Sequence, residues 1–233
     1  MSGNKFRSLK DLQEHLLESE FGFEQFVREV SVTVTEMFRD PTYYKSLREN
    51  VMKRLATYPV IKVWIAGCAT GEEAYSMAIL LKEENLLQRS IIYATDINQR
   101  SLGIAKHATY PMEYMQLYTS NYIRAGGTQP FSEYYTAKYD SVLFDQSLQK
   151  HIVFAPHNLV TDQQFNEFQL ITCRNVLIYF NQALQNKVIN LFYESLCPFG
   201  FMGLGNRESL LFTDKKEYFE DIDKAERIFM KYK

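Results

Sequence analysis

The segment VWIAGCATGEEAY, Val63 to Tyr75, constrains the fold more than any other part of the chain. An apolar run ends in a glycine-spaced loop that passes straight into an acidic helix start, which predicts a strand, a tight turn and a helix. Gly67 and Gly71 suit a turn in which a missing Cβ lets the backbone reverse sharply or come close to a ligand. Thr70 followed by Glu73 predicts a capping box that starts the helix and leaves Glu72 in its first turn. Two glycines alone are equally compatible with a strand-to-helix turn that holds no ligand.

The spacing is G-x-x-x-G, not the G-x-G-x-x-G of dinucleotide folds, and Glu72 and Glu73 stand where a pyrophosphate would meet repulsion. A ligand with a positive centre suits the loop better. Downstream, IIYATDIN, Ile91 to Asn98, predicts a strand ending in Asp96, near the spacing expected of an acid that accepts from both ribose hydroxyls. Asp96 taken alone also suits a helix N-cap. Together, a ribose acid and an acidic, phosphate-averse loop describe S-adenosylmethionine, a nucleoside with a cationic tail.

Strands are expected at Lys62 to Ala66, Ile91 to Thr95, His151 to Ala155, Gln169 to Cys173 and Phe201 to Leu204, with a last one near Arg227 to Tyr232. Helices are expected at Leu9 to Glu18, Phe23 to Val30, Pro41 to Leu55, Glu73 to Glu84, Gln99 to Lys106 and Gln182 to Leu196. The alternation implies a doubly wound, mostly parallel α/β sheet. Pro130 to Phe144, rich in tyrosine and phenylalanine, interrupts it and predicts a β-rich insertion, either an aromatic cap on the sheet or a docking surface.

With 233 residues, 46% of them hydrophobic, the chain can bury one substantial core. A net charge of −2 gives no reason to expect nucleic acid or an anionic membrane as partner. Apolar runs are too short to span a bilayer, and no secretory signal is visible at Met1 to Lys10. Cys68, Cys173 and Cys197 are odd in number and widely spaced, which reads as reduced cytoplasmic thiols and not as a metal site. His107, His151 and His157 have no evident metal or triad partner in the sequence and are expected to be structural.

Several ordered motifs resemble the CheR-type chemotaxis-receptor methyltransferases. AGCATGEEAY is similar to their AGCSTGEEPYS, VTVTEMFRDP (Val32 to Pro41) to N-x-T-x-F-F-R-D, and ATDIN with HATYP to ATDID and a later Y-P. HNL (His157 to Leu159) and CRNVLIYF (Cys173 to Phe180) follow in family order. The resemblance implies a Rossmann-like S-adenosylmethionine-dependent methyltransferase domain over 32–233. It carries a β-rich insertion at about 112–149 that would contact receptors. A partial N-terminal helical element over 1–31 precedes it, shorter than the family usually has.

The resemblance also implies site residues: Thr33, Thr35, Arg39, Gly67, Glu72, Asp96, Asn158, Leu159, Asn175 and Val176 for the cofactor, with Arg39 and Tyr179 beside the transferred methyl. Chemically, Glu72 suits the methionine ammonium, Asn158 the adenine edge, Leu159 its face and Asn175 the amino-acid portion. Arg39 suits a two-pronged grip on an acceptor carboxylate, its bland alternative being a surface ion pair with Asp40. Tyr179 taken alone also suits a half-buried packing aromatic.

Two departures stand out: Thr33 replaces the common asparagine, and GNRE, Gly205 to Glu208, replaces the usual G-H-S-E near the acceptor. The activity implied is methyl-esterification of glutamates on a chemoreceptor cytoplasmic domain or related signalling protein, in the cytoplasm. A catalytically weak, cofactor-binding interaction module and a small-acid methyltransferase are the other readings.

Overall fold

The computed structural model describes residues 34–232, together with Ser8, Lys10, Asp11, Gln13, Gly22 and Phe26. Apart from those few positions, the helices expected over Leu9 to Glu18 and Phe23 to Val30, the element over 1–31, and Thr33 lie outside the described residues.

Among the described residues ten strands follow in chain order: β1 (Ile61–Ala66), β2 (Ser90–Asp96), β3 (Thr109–Pro111), β4 (Tyr135–Lys138), β5 (Ser141–Phe144), β6 (Ile152–Pro156), β7 (Phe168–Cys173), β8 (Leu196–Leu204), β9 (Phe219–Asp223) and β10 (Ile228–Lys231). Seven of them form one sheet in the order β6-β2-β1-β7-β8-β10-β9. Five neighbours from β6 to β8 run parallel, and β10 enters antiparallel between β8 and β9. The expected mostly parallel, doubly wound sheet is therefore the observed one.

The main helices are α1, α2 (Glu72–Glu83), α3 (Gln99–His107), α4 (Met115–Arg124) and α5 (Gln182–Ser195). Of these, α1 is a continuous run made of Pro41–Ser46, a π-helical turn over Leu47–Met52, and Lys53–Leu55. Tyr44, Leu47, Val51 and Leu55 are buried along it, the face the periodicity picks out.

Strand β1 shows why a parallel strand reads as a continuous apolar run: it is covered on both faces. Val63 and Ile65 join the cluster that includes Leu47, Val51 and Met77, while Trp64 and Ala66 point the other way into a cluster with Ile189 and Phe192. Chain progression runs outward from β1 through β2 to β6 on one side and through β7 to β8 on the other. The topological switch point, where α/β sheets bind ligands, thus lies at the carboxyl ends of β1 and β7.

The capping box does not form. Gly71, at φ 96°, is the N-cap of α2 with no side-chain cap, and Thr70 Oγ1 donates to Glu72 Oε2 at 2.6 Å. Glu73 turns toward the sheet, where its carboxylate accepts from Thr172 Oγ1 at 2.7 Å. The glycine is needed twice over, since a Cβ there would sit 2.7 Å from Ala105 Cβ on α3 in addition to straining the backbone.

A second, antiparallel sheet of order β3-β5-β4 lies over residues 109–144, with α4 inserted between its strands. Neither α4 nor β9 was anticipated. The acidic run FEDID has little of a strand's composition, and β9 is held by pairing with β10, by Phe219 in the core and by a hydrogen bond from Ser46 to Asp223 at 2.6 Å.

Candidate functional site

A cavity of about 480 Å³ opens at the switch point, a size that accommodates a nucleoside-scale ligand. Its walls come from the carboxyl ends of β1, β2, β6 and β7 and from residues around Arg39.

Four amides of the loop after β1 are already engaged. Gly67 and Cys68 N–H both donate to the Thr95 carbonyl at 2.8 and 2.9 Å, Gly71 N–H donates to the Cys68 carbonyl, and Ala69 N–H donates to Asp96 Oδ2 at 2.8 Å. With those amides occupied, the loop forms no phosphate cradle, in keeping with the missing G-x-G-x-x-G. Gly67, at φ 80°, lines the cavity, yet a Cβ there would first meet Val176 Cγ2 at 2.4 Å. Its smallness serves the packing of two loops against each other.

Asp96 lines the cavity at the end of β2. Its Oδ1 accepts from Asn98 N–H and its Oδ2 from Ala69 N–H, both at 2.8 Å, so one carboxylate ties the β1 and β2 loops together. Burial raises its pKa, and the N–H groups of Asn98 and Ala69 oppose that. The N-cap of α3 is Asn98, whose side chain accepts from Arg100 and Ser101. Asp96 is thus left with further acceptor lone pairs toward the cavity.

The segment before α1 is bent by two left-handed non-glycine residues, Phe38 at φ 51° and Asp40 at φ 55°. Such a conformation persists only where neighbours over-determine it. Here Phe38 N–H donates to Ser76 Oγ on α2 at 2.9 Å, its ring packs on Tyr44 and Tyr122, and Asp40 accepts from Arg174 at 2.7 Å. Arg39, held between them, lines the cavity and donates through one guanidinium nitrogen to the Val34 carbonyl at 3.0 Å. Its alternative ion pair with Asp40 is pre-empted by Arg174. Thr35 lines the same wall.

The loop after β7 is organised by one buried carboxylate. Glu208 accepts from the backbone N–H groups of Gly205, Asn175, Val176 and Leu177 at 2.6, 3.1, 2.8 and 2.7 Å. This holds Asn175 at φ 61° and sets Asn175, Val176 and Tyr179 on the cavity wall. Opposite them, Asn158 Oδ1 accepts from Val160 N–H and Asn158 N–H donates to Asp162, so the side-chain amino group is the Asn158 donor left for a ligand. Leu159 supplies an apolar surface beside it.

The cavity therefore gathers Thr35, Arg39, Gly67, Asp96, Asn158, Leu159, Asn175, Val176 and Tyr179. Glu72 is the exception. It does not line the cavity but is buried behind it, bonded to Thr70 and reached by Tyr118 OH at 3.5 Å, and burial raises its pKa. Glu73 takes the wall position instead, because the N-cap is Gly71, one residue later than the Thr70 cap that the capping box implied, and the second glutamate turns inward.

Sequence reasoning also missed Arg174 and His157 as wall residues. Arg174 is inside the CRNV motif, but nothing in a sequence says that a fully buried arginine lies over the Tyr43 ring at 4.1 Å. His157, expected to be structural, packs edge-on to Trp64 with ring centroids 5.2 Å apart and shares the cavity wall.

The donor set fits S-adenosylmethionine: an acid at the end of β2, apolar faces from Leu159 and Val176, a free amide at Asn158 and no phosphate cradle. The comparisons agree. The model of the CheR methyltransferase SAM-binding domain matches residues 33–228. The Pseudomonas putida protein Cher3 is 52% identical over 220 residues, covering 94% of this chain and 81% of that protein. Chemotaxis protein methyltransferases of Listeria monocytogenes and Escherichia coli are each 28% identical, over 89% and 83% of this chain and 77% and 67% of their own lengths. The chain belongs to the CheR methyltransferase family, S-adenosylmethionine-dependent enzymes with this Rossmann-like fold.

Proposed function

We propose that this protein methyl-esterifies glutamate side chains of a chemoreceptor cytoplasmic domain or a related signalling protein, working in the cytoplasm. The observation that carries the reading is the placement of Arg39, with guanidinium donors to spare, on the same cavity wall system as Asp96, Asn158 and Tyr179. Relatives named chemotaxis protein methyltransferase support the acceptor class. Among the described residues no helix is long and apolar enough to cross a membrane. The division into an N-terminal helical element over 1–31 and a catalytic domain over 32–233, with its insertion at about 112–149, belongs to the same proposal.

In this reading Thr33, Thr35, Arg39, Gly67, Asp96, Asn158, Leu159, Asn175 and Val176 hold the cofactor. Asp96 accepts from ribose hydroxyls and Asn158 donates to the adenine edge. S-adenosylmethionine supplies a methyl group on a positively charged sulfur. A glutamate acceptor needs no general base, because a carboxyl with an ordinary pKa of about 4.3 is already ionised at neutral pH. What the protein must supply is alignment at roughly 3 to 3.5 Å and exclusion of water. Arg39 holds the non-attacking oxygen through its planar fork, and Tyr179 orders the acceptor from the loop that Glu208 fixes.

Transfer of labelled methyl from S-adenosylmethionine to receptor cytoplasmic fragments, with release by mild alkali, tests the reading. An alkali-labile methyl on glutamate supports it, and Arg39→Lys should lower turnover more than it lowers product affinity. Label on a small acid but on no protein would favour the small-acid enzyme, and bound cofactor without transfer would favour an interaction module.

A further inference from the structure

Across Arg174 from the cofactor cavity lies a second recess of about 230 Å³, and Arg174 is part of both walls. Its other walls are Asp40 and Thr42 at the start of α1, Arg124 at the end of α4, Asn206 just after β8, and Glu226 in the connection from β9 to β10. It opens beside the carboxyl end of β8, on the same side of the sheet as the cofactor cavity.

We propose that this recess is an acceptor subsite that receives a carboxamide side chain of the polypeptide whose glutamate enters the neighbouring cavity; the inference rests on the protein-acceptor reading above. The chemistry of the wall selects the ligand. Arg124 and Arg174 balance Asp40 and Glu226, so a second carboxylate would face two acids and a lysine would face two guanidiniums. A group that is neutral and both accepts and donates complements all four. One Nη of Arg174 donates to Asp40 at 2.7 Å, which leaves Arg124 and Asn206 to donate to the carboxamide oxygen and Glu226 to accept from its nitrogen.

Arg174 links the two sites. Its side chain is 2% exposed, its Nη1 lies 3.7 Å from Glu73 on the wall of the cofactor cavity, and its Nε has no hydrogen-bond partner among the described residues. Buried donors of that kind are seldom left open without a function. Asn206 lies at the GNRE departure, so the position at which this chain differs from the G-H-S-E pattern is a wall of the recess. Asn206 is accordingly a specificity-determining residue for the acceptor.

Two measurements test this. With S-adenosylhomocysteine bound, the protein is titrated with N-acetylglutamine methylamide and N-acetylglutamate methylamide while amide resonances are followed. The glutamine compound should shift Asn206, Thr42 and Ala225 and bind at least about fivefold more tightly than the glutamate compound, an advantage that Asn206→Leu removes without changing S-adenosylhomocysteine affinity. Equal binding of the two compounds, or shifts confined to other residues, would overturn the subsite.

In methyl transfer to helical peptides with one acceptor glutamate, a neighbouring glutamine should lower KM relative to alanine in the wild type but not in Asn206→Leu. KM values that respond alike in both proteins would also overturn it. If no peptide is methylated, the glutamate-acceptor reading fails, while the titration still decides whether the recess takes a carboxamide.

Discussion

Two glutamates with buried carboxylates organise this molecule in different ways. Glu208 has backbone N–H groups as its four partners and no cation paired with it among the described residues. Glu83, at the end of α2, pairs with Arg48 and collects Tyr122 OH, Tyr134 OH, both Thr128 donors and Gln129 N–H. The first fixes a loop that lines the cofactor cavity, and the second fixes α4 and the entry to the small sheet onto the main domain. The difference is instructive. A carboxylate held by main-chain dipoles specifies backbone shape, whereas one held by side chains joins elements whose backbones are already regular.

The harshest way to break this contrast is Glu208→Ala, which strands four backbone donors in a site where the parent residue is 4% exposed. A loss of about 3 to 5 kcal/mol in denaturant unfolding is expected, with S-adenosylhomocysteine binding lost by calorimetry. Survival of full affinity in a folded variant would mean that Asn175 and Val176 are placed by something else.

Asp96 works in Glu208's manner but also faces the cavity. Asp96→Ala should weaken S-adenosylhomocysteine by about 1.5 to 3 kcal/mol, from lost ribose contacts and a loosened Ala69 loop. Unchanged calorimetric affinity would remove the ribose assignment.

Glu83→Gln sharpens the other side of the comparison. It should cost about 2 kcal/mol of stability while S-adenosylhomocysteine affinity stays within about twofold. Its pH signature has a definite sign. Burial alone would raise the Glu83 pKa, but hydrogen bonds from Tyr122 and Thr128, with Arg48's charge, overcome this and hold it below the ordinary value of 4.5. The group's contribution is therefore complete above about 4.5 and lost as pH falls through the folded value, so the wild type's advantage over Glu83→Gln should shrink on acidification. An advantage that stays constant from neutral pH to acid unfolding would contradict the lowered pKa.

The smallest effect belongs to Glu72→Gln. Glu72 is buried away from the cavity and its pKa is raised by that burial, so S-adenosylhomocysteine affinity should change by less than about twofold and stability by a few tenths of a kcal/mol at most. A tenfold loss of affinity would restore Glu72 to the methionine ammonium and displace Glu73 from the cavity wall.

Much of this was legible in the chain because it depends on local pattern. Strand β1 announces itself as an apolar run, α3 begins at Gln99 as expected although its cap is Asn98 and not Asp96, and Asp96 stands at a strand end where any chain of this alternation would put a ligand acid. Gly67 and Gly71 were identified correctly as turn residues, although their missing side chains make room for Val176 and Ala105. The motif order likewise brought Arg39, Asn158, Asn175 and Tyr179 to one cavity.

What the sequence by itself determined, then, is the order of the main strands and helices apart from α4 and β9, the phosphate-averse loop and the carboxyl-end position of the polar residues, because each follows from periodicity, charge and spacing within about thirty residues of chain. Only the tertiary structure decided which of Glu72 and Glu73 faces the cavity, since one residue of helix start turns a side chain through about 100°. It alone joined Glu208 to Asn175, Glu83 to Tyr134, and Arg174 to Asp40 across 33, 51 and 134 residues. Those links depend on where buried donors find acceptors after the sheet has assembled, and no local pattern carries that information.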